Sequence, residues 1–248
     1  MYKYVNFLKL KLNALTREEM INALPELCKK GRPAKTAIYI NAHCVNMSFS
    51  DKEYRSILNT AELVYAGGQG VVWAAGFLGC PIPERVNILD FFERLIERLI
   101  DKKITVYLLG NTREVVEKTE SILKNKGVDI VGARDGFFPE SECAEVIKEI
   151  NKVKPDLLIV GMGAPKQEKW IKAHSDKLDA GLCWAVGATF EWISGYRKRA
   201  PAWMIRLGLE WLHRLLQQPG RLWKRYIFGN IIFIYHVLNW RIKHGKNI

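Results

Sequence analysis

Apolar positions recur with two periods along the first 196 residues, and the two alternate. "YVNFLKLKL" (4–12) alternates apolar and polar side chains as one half-buried strand does, and the segment after it opens on Thr16 with Glu19 three residues on, a capping-box signature for a helix. "TAIYINAH", "ELVYA", "ITVYLLG", "VDIVG", "DLLIVG" and "LCWAVG" are short and almost wholly apolar, which predicts strands covered on both faces. Between them, "SDKEYRSILNTA", "VVWAAGFLG", "REVVEKTESILKNKG" and "SECAEVIKEINKV" carry helical patterning. Buried strands separated by helices imply parallel crossovers, so the expected fold class is α/β: a Rossmann-like, mostly parallel sheet with helices on both faces. Past Pro201 the strand period disappears. "AWMIRLGLEWLHRLLQQ" is amphipathic, Pro219-Gly220 stops it, and "RLWKRYIFGNIIFIYHVLNWRIK" resumes as helix. The expected organisation is an α/β body over 1–196 and a helical appendage over 197–248.

Charge sharpens that division. The chain of 248 residues carries a net +12, and from Arg197 to Ile248 eleven Lys/Arg face the single Glu210, so the appendage holds +10 of it. Four of the eight tryptophans, Trp203, Trp211, Trp223 and Trp240, also lie there. Basic residues mixed with interfacial rings suit an anionic membrane surface. Nucleic acid is the rival partner for such a composition, but "IIFIY" offers more aliphatic surface than a phosphate backbone uses, so no nucleic-acid role is expected. The sequence lacks a run of about 18 apolar residues, so a spanning helix is not expected, and its N-terminus lacks a signal peptide's apolar region. Five scattered cysteines without a C-x-x-C pair suggest neither a disulfide framework nor a zinc knuckle, and fit a reducing cytoplasm. His43, His174, His213, His236 and His244 show no metal-ligand spacing and read as structural or surface residues. "FFERLIERLIDKK" is an amphipathic helix with room for a homo-oligomer contact.

The candidate chemistry gathers at strand ends. Gly110, Gly132, Gly161 and Gly187 close four of the apolar runs, where parallel sheets bind ligands, although any one of them alone reads as a plain strand-to-helix turn. "GGQGVVWA" and "GMGAPKQE" lack the third glycine of a dinucleotide fingerprint, and no P-loop is present, so hydride transfer and Walker-type phosphoryl transfer lose support. "GAPKQE" sets Lys166, Gln167 and Glu168 in the first turn of a helix behind Pro165, suited to a pyrophosphate or to sugar hydroxyls, and equally to an ordinary capped helix.

"YAGGQGVVWAAGFLGCPIPERV", "VYLLGNTREVVEK", "VGARDGFF", "PDLLIVGMGAPKQEKWI", "VGATFEWISGYRKRAPAWM" and "GLEWLHRLLQQPGRLWKRY", in that order over about residues 4–235, resemble the WecG/TagA/CpsF glycosyltransferases, family twenty-six. The resemblance implies inverting transfer of a sugar of N-acetylmannosamine, mannosaminuronic acid or glucose type from a UDP donor to a polyprenyl-diphosphate-linked sugar. It further implies no metal or other cofactor and a peripheral place on the cytoplasmic face of the membrane, in polysaccharide or teichoic acid assembly. Carried over by position, it makes Asn41, Gln69, Arg85 and Gln167 active-site residues, with Arg85 and Gln167 catalytic. Gly110, Asp135, Gly136, Gly163, Thr189 and Glu191 would hold the donor. Arg214, Arg221 and Arg225 would bind the acceptor diphosphate.

Two positions depart from the family pattern. Its members usually read Ala-Asp-Gly where this chain has Ala66-Gly67-Gly68, and that aspartate is the family's candidate base; a threonine often stands where Tyr39 does. A positioned base contributes 10²–10⁴-fold, about 3–5 kcal/mol of barrier. Asp90 and Glu191 are the substitutes in view, with helix capping the stronger reading for Asp90. The alternative function is a catalytically impaired, nucleotide-sugar-binding relative at the membrane.

Overall fold

The computed structural model describes residues 3–28 and 33–245. The N-terminal alternation is not one strand but a hairpin, β1 (Tyr4–Phe7) and β2 (Leu10–Asn13), antiparallel with Phe7 opposite Leu10. Leu8 and Lys9 turn the chain at φ 47° and 68°, the left-handed values a two-residue hairpin loop requires. Neither is Gly or Asn, and a two-residue turn leaves period two unbroken, which is why the segment reads as a single strand. Leu8 is fully buried, and that burial offsets the cost of its backbone.

The elements then alternate: α1 (Arg17–Leu27), β3 (Lys35–Ile40), α2 (Ala42–Ser50), α3 (Lys52–Thr60), β4 (Leu63–Ala66), α4 (Gln69–Leu78), α5 (Phe92–Asp101), β5 (Val106–Gly110), α6 (Arg113–Asn125), β6 (Ile130–Arg134), α7 (Cys143–Val153), β7 (Leu157–Gly161), α8 (Lys166–His174), β8 (Leu182–Ala185) and α9 (Thr189–Ile193). Helix α1 starts where the capping box predicts. Thr16 Oγ1 accepts from the Glu19 N–H at 3.1 Å, and Glu19 Oε2 accepts from the Thr16 N–H at 2.8 Å.

The strands form one eight-stranded sheet in the order β1-β2-β4-β3-β8-β7-β5-β6, in which the neighbours other than β1 and β2 run parallel. Successive strand residues point to opposite faces and enter separate cores. Ile38, Val64, Leu158 and Cys183 pack with α2, α3, α4, α7 and α8, while Ala37, Leu63, Leu157 and Leu182 pack with α1, α5, α6 and α9. The chain therefore leaves β3 for one face, through α2, and leaves the adjacent β8 for the other, through α9. That divergence opens a crevice at the carboxyl ends of the two central strands.

The C-terminal segment is helical: α10 (Ala202–Arg206), α11 (Glu210–Gln217), α12 (Pro219–Trp223), a π-helical turn (Lys224–Phe228) and α13 (Gly229–His244). Pro219 does not only stop α11; it is the first residue of α12, where its missing N–H costs nothing. Helix α13 lies on α2. Phe233 and Val237, one turn apart, enter the core that α2 shares, Asn46 Nδ2 donates to the Gly229 carbonyl at 2.7 Å, and His236 stacks on Phe49 with centroids 3.8 Å apart. The outward side of α13 is also apolar, with Ile231, Ile234, Leu238 and Ile242 exposed beside Trp73 and Phe77 of α4. Among the described residues no helix is long and apolar enough to cross a membrane.

Candidate active site

A cleft of about 720 Å³ fills the crevice between β3 and β8. Asn41, directly after β3, caps α2: its Oδ1 accepts from the His43 N–H at 3.0 Å and the Cys44 N–H at 3.2 Å. Gln69 opens α4 just after the Gly67-Gly68 pair, and Thr189 opens α9, its Oγ1 donating to the Val186 carbonyl at 2.7 Å. Asn41, Gln69, Arg85, Gly163 and Thr189 all line this cleft. So do Arg214, Arg221 and Arg225, which the C-terminal helices carry over it from above.

The cleft is cationic, and its cations disfavour one another. Burial lowers the Arg197 pKa, the neighbouring Arg214 and Arg221 lower it further, and Glu191 acts in the opposite sense. Arg214 stacks over Trp192 at 5.7 Å, which fixes the guanidinium plane while leaving its N–H groups free to bond. A group of guanidiniums held together against their repulsion is suited to a polyanion such as a diphosphate.

Arg85 has a second set of partners. It is 8% exposed, donates to Asp90 Oδ2 at 2.7 Å and to Glu210 Oε2 at 2.8 Å, and so ties the segment before α5 to the start of α11. Asp90 also takes Arg199, which donates to the Leu89 carbonyl as well. Asp90 is therefore neither a helix cap nor a free base. Asn87 caps the 3-10 turn that contains Asp90, α5 has no side-chain cap, and the Asp90 carboxylate is already occupied by two guanidiniums. Glu191 is likewise engaged, in an ion pair with Arg197, and lies outside the cleft lining.

Gln167 sits behind the cleft wall, fully buried. Its Oε1 accepts from the Gly163 N–H at 3.2 Å and the Gly187 N–H at 3.0 Å, joining the loops that leave β7 and β8, and its Nε2 donates to Glu168 Oε1 at 2.7 Å. Gln167 thus shapes the rim from within. Glu168 is also fully buried and its Oε2 has no hydrogen-bond partner. Burial pushes its carboxyl up to about 7 from an ordinary 4.5, against the opposing pull of the Gln167 amide. An acid whose folded pKa is raised costs stability as pH climbs from its unfolded to its folded value. Glu168 should therefore remove up to about 3 kcal/mol between pH 4.5 and 7 and nothing further above. Urea unfolding of the wild type and of Glu168→Gln at pH 5 and pH 8 checks this: the variant should lack that component of the pH dependence.

Gly110, Asp135 and Gly136 form a separate notch at the ends of β5 and β6. The Gly136 N–H donates to the Asn111 carbonyl at 2.9 Å and Asp135 Oδ1 accepts from the Phe137 N–H at 3.0 Å. Gly110, at φ 142°, has no room for a side chain, because a Cβ there would lie 2.5 Å from the Gly161 carbonyl carbon. These three do not line the main cleft; Met162, which does, stands between, within 3.1 Å of a Cβ built on Gly136. Among the described residues no group of three or more His, Cys, Asp or Glu side chains is placed to hold a metal ion.

The two departures at Tyr39 and Gly67 prove to be neighbours. A Cβ built on Gly67 would lie 2.8 Å from Tyr39 Cδ2, and one on Gly187 would lie 2.3 Å from the Tyr39 hydroxyl. The tyrosine ring spans the cleft floor from the end of β4 to the end of β8 and occupies the room that a side chain at position 67 would need. Burial raises the phenol's pKa, with Cys44 and Glu168 adding to it, so the phenol stays protonated across the neutral range.

Sequence reading missed His43, Arg197 and Glu210, all in the cleft wall. The "NAH" run places His43 in the same helical turn as the Asn41 cap, and "GYRKRAP" marks Arg197 as part of a basic cluster; either signal was available. Glu210 was visible as the appendage's single acid, but its partner lies 125 residues away.

The model of the "Glycosyl transferase WecG/TagA/CpsF family" matches residues 5–247. Two relatives named N-acetylglucosaminyldiphosphoundecaprenol N-acetyl-beta-D-mannosaminyltransferase, from Staphylococcus aureus strains MW2 and NCTC 8325, are each 33% identical over 210 residues, covering 83% of this chain and 80% of theirs. The same-named protein of strain MRSA252 is 32% identical over the same span. A match along nearly the whole chain, with relatives above 30% identity, identifies this protein as a member of the WecG/TagA/CpsF family of glycosyl transferases.

Proposed function

We propose that the chain transfers an N-acetylmannosamine-type sugar, with inversion, from a UDP donor to an N-acetylglucosaminyl-diphosphate-polyprenol. One observation carries the reading: Arg214, Arg221 and Arg225 line the same cleft as Asn41, Gln69 and Thr189, so a cationic lid and a polar strand-end rim share one space. The donor nucleotide lies along the rim, at Gly163 and Thr189, with Gly110, Asp135, Gly136 and Glu191 supporting its edge. The acceptor's diphosphate meets the lid arginines, which offset its charge and that of the departing UDP. Arg85 and Gln167 hold the walls rigid, so that donor and acceptor meet in line. The acceptor class is the one named for the Staphylococcus aureus relatives.

The exposed apolar residues of α13, next to the appendage's positive charge, suit a peripheral position on an anionic membrane at its cytoplasmic face. No metal or other cofactor has a part in the reaction as proposed. The decisive experiment uses radiolabelled UDP-N-acetylmannosamine and detergent-solubilised N-acetylglucosaminyl-diphosphoundecaprenol. Labelled lipid product is expected; UDP binding without any product sinks the transferase reading in favour of a binding protein without turnover. In the same assay, replacing Arg214, Arg221 and Arg225 together by Gln should raise the acceptor KM at least 100-fold, since each charge-assisted bond contributes about 1.5–3 kcal/mol. Flotation with anionic vesicles should weaken in parallel.

A further inference from the structure

Gly67 gives the cleft no carboxylate at the end of β4, and the proton of the acceptor hydroxyl still has to leave. Among the described residues lining the cleft, tyrosines and arginines aside, the two side chains of acid–base type are His43 and Glu210. Glu210 is 13% exposed and bonded at 2.8 Å to a guanidinium that never deprotonates, so its carboxylate is held to Arg85. The other candidate oxygen acids are engaged elsewhere or stay protonated. Asp90 is bound by Arg85 and Arg199, Glu191 by Arg197, and the Tyr39 phenol is held in its protonated form.

We infer that His43 is the proton acceptor for the attacking hydroxyl, supplied by the helical turn that adjoins Gly67 and Gly68 in the same cleft. The inference rests on the transferase reading above. Three observations place it there. The residue sits in the first turn of α2, fixed by its own N–H on Asn41 Oδ1 at 3.0 Å. The Cβ of that same Asn41 lies 3.0 Å from a Cβ built on Gly68, so the glycine pair and the α2 turn adjoin. The ring is half-buried, open to the cleft that Gly67 also lines.

The electrostatic setting agrees. Burial first, and the nearby Arg225 second, lower the imidazole pKa to about 4, so at neutral pH it carries a free nitrogen lone pair. Arg225, on the lid, is the charged group that acts on it.

In the step itself, an imidazole nitrogen takes the acceptor hydroxyl's proton as that oxygen bonds to the anomeric carbon. The bond from the carbon to the β-phosphate oxygen breaks, and its electron pair leaves on UDP. The imidazolium then returns its proton to water.

Transfer from UDP-N-acetylmannosamine to detergent-solubilised N-acetylglucosaminyl-diphosphoundecaprenol tests the assignment in the full-length wild type, His43→Gln and His43→Ala, with melting temperature and UDP affinity measured alongside. A positioned base is worth about 10²–10⁴-fold. His43→Gln should lose at least 100-fold in kcat with UDP affinity unchanged, and added imidazole should restore a measurable part of the rate to His43→Ala. A His43→Gln kcat within threefold of wild type overturns the inference and leaves the transferase reading intact. Loss of rate in His43→Ala that imidazole leaves unrestored, joined to a raised acceptor KM, also overturns it and makes His43 a binding contact. Absence of transfer by the wild type removes the transferase reading and this step with it.

Discussion

Arg85→Met should cost about 3–5 kcal/mol of folding stability, because it strands the Glu210 carboxylate, 13% exposed, and takes one of two guanidiniums from Asp90. Asp90 keeps Arg199 after the change, but Arg85 is the ion-pair partner shown for Glu210, and Glu210 begins α11. The loss should therefore appear both as a lower urea midpoint and as a lid less firmly seated. Arg85→Lys should recover little, since an ammonium cannot fork to two carboxylates as a guanidinium does. Arg85→Met combined with Glu210→Gln should regain part of the stability, because the second change removes the stranded charge. A single variant with an unchanged midpoint would show that the network is decorative.

Gly67→Asp, which puts a carboxylate at the end of β4, should harm the protein. The new Cβ falls 2.8 Å from Tyr39 Cδ2, inside the distance that real contacts reach, and Tyr39 is pinned between the ends of β4 and β8. Overpacking of this kind costs about 1–3 kcal/mol, and about 2–4 °C of melting temperature for each kcal/mol in a chain of this size. Tyr39→Thr removes the ring, so the double variant should recover most of that loss, with a coupling of about 1 kcal/mol or more between two touching sites. Melting temperatures and kcat for both single variants and the double complete the cycle. Strict additivity would mean that the two departures are unrelated.

The sheet was legible because its central strands are buried on both faces: "VYLLG", "LLIVG" and "LCWA" have every residue inside, and a composition so apolar over so short a run has few other outcomes. The strand-end glycines followed from it, whereas Asn41, Gln69 and Thr189 came from the family resemblance; the sheet accounts for their place, since a parallel sheet presents its ligand groups at the carboxyl ends of its strands. What escaped notice depends on packing between distant parts of the chain. The hairpin turn at Leu8-Lys9 is held by burial of Leu8 rather than by turn chemistry. Asp90 reads as a capping residue until Arg85 and Arg199 converge on it. Tyr39 and Gly67 look like two separate oddities, because only the pairing of β3 with β4 makes them touch. His43 was set aside for want of a metal-ligand spacing, although a single imidazole in a cleft needs none.

The seam between α13 and α2 makes the C-terminal helix a lever rather than a cover. The Asn46–Gly229 bond and the Phe49–His236 stack fasten it to the helix whose other end bears Asn41 and His43. With that seam intact, α13 cannot shift without carrying α2 along, so the position of the lid and the position of the Asn41 cap are set together.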